Sequence, residues 1–254
     1  MGAGSSRIRS FLATHRFRPT LLLTAAMAAL VALTIALGNW QRQRADEKTA
    51  AATLASTAAR QAPVDLAEVS SMTGAVLYRT VRGYGEYDAA RAVLIDNKVH
   101  GGRPGYEVVT PFRIAPGHRY VLVDRGWVAG GPTREHLPSV QTPAGPVEIV
   151  GRATIPPKRY LELKTDTGAG TVRQNLDIDR FAAASGLDLL PFVVEQADPV
   201  TPPDDLLRDW PKPDFGIERH LSYMVQWYSL AALAIVLWLA LNWRRGPEGD
   251  DAAD

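Results

Sequence analysis

The chain has 254 residues, no cysteine, and a formal charge of +1 from 28 Lys and Arg against 27 Asp and Glu. The missing thiols exclude disulfide frameworks, thiolate metal sites and Cys nucleophiles, and the even charge excludes a basic field able to hold a nucleic-acid backbone. The mean hydropathy of -0.10 is an average over two apolar runs and a polar middle.

Residues 1–19 carry Arg7, Arg9, Arg16 and Arg18 ahead of an uncharged run, Thr20–Trp40 (TLLLTAAMAALVALTIALGNW). At a rise of about 1.5 Å per residue this run reaches roughly 30 Å, the thickness of a hydrocarbon core, so 20–40 predicts a membrane-spanning helix. It is longer than the apolar core of a secretory signal and leaves through Gly38, Asn39 and Trp40 without a small-x-small site, which predicts an uncleaved anchor. Ala25 with Ala29, and Ala28 with Ala32 and Ala36, recur at four-residue intervals and offer a face for pairing with a second helix. Residues 41–62 are rich in Ala, Gln, Arg, Lys and Glu, which predicts that the helix continues to a stop at Pro63.

Strand texture follows at 75–88, 92–96, 106–112, 119–128 and 147–155. Each run is β-branched or aromatic, and DNK, HGGRPG, APGH and AGGP punctuate them. A short helix over 178–185 ends at Gly186, and FVVE (192–195) is a last strand. Residues 198–216 are proline-rich and predict an extended strap. A second uncharged run, Leu221–Trp243, predicts a second spanning helix, and Arg244 and Arg245 follow it. The tail GPEGDDAAD has no apolar content and predicts disorder.

The sequence thus predicts a membrane protein in which two transmembrane helices flank a β-rich α+β domain, a small antiparallel barrel or sandwich. The segments are a cytoplasmic N-terminus (1–19), spans at 20–40 and 221–243, an extracytoplasmic domain at 41–220 and a cytoplasmic tail at 244–254. Both cationic flanks place the termini in the cytoplasm. Arg42, Arg44 and Lys48 point weakly the other way, but a long translocated domain largely escapes that rule. Residues 41–220 hold 22 Lys and Arg against 23 Asp and Glu, too even to name a charged partner.

Catalytic patterns are thin. No HExxH, HxH, GxSxG or GxxxxGK[ST] occurs, so zinc, hydrolase and P-loop readings lack support. The pairs Asp124/Arg125 and Asp96/Lys98 read most simply as solvated strand ends, and Arg125-Gly126-Trp127 as a strand closure in which Gly126 leaves room for Trp127. His220 differs because it falls in the first turn of the second span, where the partial positive charge of free amides disfavours imidazolium. A neutral imidazole is the form that ligates iron. Tyr223, Met224 and Trp227 share its face at i+3, i+4 and i+7, a surface able to take a flat apolar macrocycle. An interfacial His anchoring the helix beside an aromatic belt is the plainer alternative.

The motifs LGNWQRQRADEK, YRTVRGYGEYD, LIDNKVHGGRPGYEVVTPF, VLVDRGWV and HLSYMVQWYSLA, in this order between residues 20 and 243, resemble the surfeit locus protein 1 family of cytochrome c oxidase assembly factors. The resemblance implies two transmembrane helices around an extracytoplasmic domain, no enzymatic activity, and a part in placing haem a into subunit I of a haem-copper oxidase. It makes His220 the candidate haem ligand, in a motif that also holds Gln226. It matches Trp40, Gln41 and Arg44 to a WQxxR motif and Gly105 with Tyr106 to a PGY turn. The partners it implies are oxidase subunit I, haem a synthesis enzymes and the lipid bilayer. The topology puts the main domain in the periplasm if the cell is a bacterium, with the chain in its inner membrane, or in the intermembrane space if it is a mitochondrion; the bacterial placement is the one expected here. Trp40 and His220 then lie at one membrane depth, where a lipophilic haem could rest. Two readings stay open: a chaperone that binds haem a transiently, and a scaffold or accessory subunit that stabilises an oxidase complex or assembly intermediate without touching haem.

Overall fold

The computed structural model describes residues 15–17, 19–69, 73–133, 136–156, 170–211 and 213–245. The chain divides into two compact units, Met1–Ala51 with Asp214–Asp254, and Ala52–Pro213. Its helices are α1 (Leu21–Ala58), α2 (Ile178–Ser185) and α3 (Ile217–Asn242). The expected tail from residue 246, and Arg7, Arg9 and Arg18, lie outside the described residues.

In the first unit, α1 and α3 are each long and apolar enough to cross a membrane. The predicted span and its polar extension are one continuous helix, although it ends at Ala58, short of Pro63. The second helix starts at Ile217, a turn before the apolar run, so His220 is its fourth residue. Beyond the helices, β1 (His15–Phe17) pairs antiparallel with β10 (Trp243–Arg245), which the sequence did not predict.

The helix pair meets through a seam spaced three and four residues apart. On α1 the seam residues are Thr24, Met27, Val31, Thr34, Gly38 and Gln41, and on α3 His220, Met224, Trp227, Ala231, Ala234 and Trp238, all buried or half-buried. This spacing is the left-handed packing of coiled coils and membrane bundles. The alanine face expected to pair the helices is corrected: Ala25, Ala29, Ala32 and Ala36 are exposed. At about 100° per residue that row falls on the far side of α1, roughly 160° around the helix from the seam. The seam offers something the alanines lack, because Tyr228 covers Gly38, where a Cβ would come within 2.5 Å of its ring. Cross-helix hydrogen bonds run from Tyr228 Oη to Asn39 Oδ1 (2.8 Å) and from Trp238 Nε1 to Thr24 Oγ1 (3.1 Å).

The second unit is β-rich. Its strands are β2 (Val64–Asp65), β3 (Thr80–Tyr87), β4 (Val93–His100), β5 (Arg103–Ile114), β6 (Tyr120–Ala129), β7 (Val147–Thr154), β8 (Val172–Arg173) and β9 (Leu189–Gln196), in the order β2-β3-β7-β9-β6-β5-β4-β8. A further β3–β5 pairing closes β3, β7, β9, β6 and β5 into a five-stranded barrel, which decides between barrel and sandwich. The expected antiparallel meander is only partly met, since β2–β3, β4–β8 and β6–β9 are parallel. The reason is that β9 returns after α2 and inserts between β7 and β6. The stretch 75–79, expected to open the first strand, is a 3-10 turn and loop instead.

Period-two alternation accounts for the two faces of the central strands. Val121, Val123, Phe192 and Val194 point into the barrel with Phe112 and Ile149. Leu122 and Val193, between them in sequence, point outward and pack with Phe181 of α2, Val93 and Val109. Helix α2 ends at Gly186 in the left-handed region, as its sequence predicted, and begins on an Asp177 side-chain cap that was not predicted.

Candidate functional site

The helical unit carries the first candidate site. His220 is half-buried, and its Nδ1 lies 2.7 Å from Oε1 of Gln41, which is itself buried. Gln41 follows Trp40, a residue 50% exposed, with the Arg44 guanidinium carbon 6.0 Å from the Trp40 ring centroid. Arg44 also pairs with Glu47 at 2.9 Å. The proposed grouping of Tyr223, Met224 and Trp227 with His220 holds in part. Met224 and Trp227 lie on the seam, whereas Tyr223 is exposed because i+3 from His220 falls beside the 220-224-227 row. Gln226 is also exposed. Tyr228 and Asn39, which sequence reasoning passed over, tie the helices near the same end. The signal available for Tyr228 was its i+8 position from His220.

This donor set suits one kind of iron site. Among the described residues no group of three or more His, Asp or Glu could hold a metal ion, so a protein-caged metal has no support. A single imidazole beside exposed aromatic surface could hold a metal that a flat macrocycle already carries, by supplying one nitrogen ligand.

The β-rich unit arranges the remaining motif residues differently from their sequence reading. Asp124 and Arg125 are buried, not solvated strand ends, and Lys98 forms an ion pair with Glu107 at 2.6 Å. Arg125 donates to Gln141 O (2.8 Å), Thr142 Oγ1 (3.0 Å) and Asp204 Oδ2 (3.4 Å), and its guanidinium carbon stands 5.2 Å from the Tyr87 ring centroid. Burial, the larger effect, pulls Arg125 below its ordinary pKa, and Asp204 works against that shift. Tyr87 is pushed up by the same burial, with Arg125 opposing.

Gly126 sits at φ 138°, where the β5–β6 register shifts between Glu107 and Val109. The expectation that its lack of a side chain makes room for Trp127 is corrected. A Cβ there would meet Leu207 O at 2.8 Å and Leu206 Cβ at 2.9 Å. The glycine that accommodates Trp127 is Gly105 of the PGY motif, which lies within β5 and not in the expected turn; a Cβ there would lie 2.5 Å from the indole. Trp127 Nε1 donates to Lys98 O (3.0 Å), and Tyr106 is buried with Leu94, Val108 and Leu206. Gly105 and Trp127 therefore pack on one face of the β5–β6 pair, and Tyr106 with Val128 on the other.

The proline-rich strap is stitched to the barrel and does not simply lead away from it. Leu207 and Trp127 exchange backbone hydrogen bonds (2.8 and 2.9 Å), Trp210 Nε1 donates to Gln196 O (2.7 Å), and Arg152 donates to Pro211 O (3.0 Å). Asp204 holds two buried cations, since Arg208 lies 2.7 Å from the Oδ2 that also faces Arg125. Neither Asp204 nor Arg208 stood out in the sequence. Nearby, Asp124, Glu107, Lys98, Glu195 and Trp210 line a cleft of about 520 Å³. Burial and then Glu107 hold the Asp124 carboxyl well above the usual carboxylate range, against Lys98. Burial likewise raises Glu195, opposed by Arg152 at 2.8 Å.

The chain is similar in sequence to several known proteins. A SURF1-like protein of Monosiga brevicollis is 26% identical over 87% of this chain and 88% of its own. Surfeit locus protein 1 of Takifugu rubripes is 24% identical over 82% of this chain and 92% of its own. A SURF1-like protein of Drosophila melanogaster is 31% identical over 53% of this chain and 43% of its own. The model of the SURF1 family matches residues 28–232, from within the first spanning helix to within the second. With the barrel, part of each spanning helix and every motif residue inside that match, the chain belongs to the SURF1 family.

Proposed function

We propose that this protein assists the assembly of haem-copper cytochrome c oxidase by holding haem a transiently and passing it to subunit I. His220 is the residue that takes the iron, and haem a is cargo, not a resident cofactor. Membership of a family of oxidase assembly factors supports the general role. The observation that carries the haem reading is the His220 ring, half-buried at the start of α3. Its Nδ1 is engaged, and its Nε2 makes no hydrogen bond among the described residues. Trp40 and Tyr223, both about half exposed, supply aromatic surface near the same helix ends.

The protein acts in this reading by binding and release, not by catalysis. It sits in a bacterial inner membrane with both termini cytoplasmic and the barrel periplasmic, a placement supported by two spanning helices and cationic flanks. Oxidase subunit I, as receiver, and the enzymes of haem a synthesis, as donors, are its partners.

Purification after co-production with a haem a synthesis pathway tests the proposal by visible absorption. Wild type carries a Soret band, and His220→Ala loses it or shifts it while the protein accumulates normally. A colourless wild type would favour the scaffold reading, and identical spectra in wild type and His220→Ala would remove His220 from the site.

A further inference from the structure

We infer that Gln41 is a positioning residue for His220: its side-chain carbonyl fixes the imidazole as the Nδ1–H tautomer and aims the Nε2 lone pair outward for ligation. This rests on the haem reading for its purpose, but the hydrogen bond itself can be tested without haem.

The inference starts from a residue that packing does not explain. Gln41 occupies the seam one turn beyond Gly38, and it is only 8% exposed. A primary amide taken from water into such a seam is unfavourable unless it is hydrogen-bonded, and Ala or Leu would fill the position without that cost. The described partner of the amide oxygen is the His220 ring, 2.7 Å away across the helix pair. An amide oxygen can only accept, so the hydrogen lies on Nδ1. A neutral imidazole has one N–H, and the lone pair is then on Nε2.

The geometry has two chemical consequences. A carbonyl accepting the Nδ1 proton pushes electron density into the ring and makes Nε2 a better donor to a metal. It also fixes the ring plane, since rotation about the Cβ–Cγ bond would break the bond to Gln41. His220 and Gln41 are 179 positions apart in the chain, on different helices, so the ring is aimed only when the helix pair is closed. Gln41 thereby joins the assembly of the two helices to the presentation of a ligand. Arg44, exposed and paired with Glu47, takes no part in this bond.

The experiment uses full-length protein in lipid nanodiscs, free of haem, with 15N-labelled histidine. Long-range 1H–15N correlation distinguishes the two tautomers, and the His220 signal is assigned by its loss in His220→Ala. The expected result is an Nδ1–H tautomer in wild type and in Gln41→Glu, whose carboxylate still accepts, with that preference lost in Gln41→Leu. In a second arm, haem a titrated into the same samples should bind about 10- to 100-fold more weakly to Gln41→Leu than to wild type, the usual range for losing a ligand's hydrogen-bond partner. An Nε2–H tautomer in wild type, as when the amide nitrogen donates to Nδ1, overturns the inference whatever haem does. Equal haem affinity in wild type and Gln41→Leu, with His220→Ala still defective, overturns it and leaves the haem reading standing. If wild type binds no haem, the proposed function fails, and the tautomer measurement alone decides the role of Gln41.

Discussion

Asp204 is the residue whose loss the β-rich unit should feel most. Its Oδ2 is shared by Arg125 and Arg208, whose side chains are 1% and 2% exposed. The substitution Asp204→Asn keeps the volume and removes the anion. Taking one partner from a buried ion pair costs about 3–5 kcal/mol, because the charge left behind has no compensation. Here both cations retain some support: Arg125 has Gln141 O and Thr142 Oγ1, and Arg208 has Asp198 at 3.1 Å. The lower end, about 3 kcal/mol, is therefore expected. Set against a typical domain stability of about 5–15 kcal/mol, that is a large share. In a unit of this size it corresponds to a fall in Tm of roughly 6–12 °C. Thermal unfolding of the full chain in detergent, followed by tryptophan fluorescence, reads it out, since Trp127 and Trp210 both sit where the strap meets the barrel. Asp198→Asn is the control: that carboxylate is 62% exposed, and an exposed pair contributes about 0–1 kcal/mol. If Asp204→Asn melts no lower than Asp198→Asn, the two-cation anchor is not what holds the strap.

The buried Asp124 carboxyl has a raised pKa, so the folded chain binds its proton more tightly than the unfolded chain. Stability then falls as pH climbs from the ordinary carboxylate value of about 4 through the raised folded value. Asp124→Asn should match wild type at low pH and melt higher above that window, with a residual slope from Glu195, which is shifted the same way; a variant that keeps the full wild-type slope refutes the assignment. For topology, reporter fusions after Gly130 should be active only outside the cytoplasm and fusions after Asp254 only inside, and a cytoplasmic signal from Gly130 would reverse the proposed orientation.

Much of the fold was legible because its signals are local. Two uncharged runs, β-branched and aromatic stretches such as those of β6 and β9, and the terminal glycine of α2 each report on a few neighbouring residues. What escaped depends on pairing between distant segments. The parallel β6–β9 register is set by where β9 inserts, and nothing in FVVE specifies its neighbours. Strands β2 and β8 are two residues long and carry no period. The alanine stripe failed for another reason: several rows of a helix made of small and apolar residues satisfy the same spacing rule, and only the partner's side chains choose among them. Tyr228 over Gly38 makes that choice here.

The site divides along the same line. His220 could be singled out because its position in the first turn of an apolar helix is a property of sequence alone. Its tautomer could not, since the group that sets it belongs to the other helix and reads, on its own, as one polar residue in a polar run (WQRQR). Asp124 and Arg125 show the converse error. Charged residues in a strand read as solvated until a second layer covers them, and the layer that covers Arg125, residues 141–142 and the strap at Asp204, comes from proline-rich segments with no regular pattern. Segments without periodicity thus determine which charges are buried. The sequence motifs they cover, RGW and PGY among them, therefore gain their meaning from partners outside the motif. Gly126 illustrates this best: it is glycine because of Leu206 and Leu207, eighty residues downstream, and not because of the tryptophan beside it.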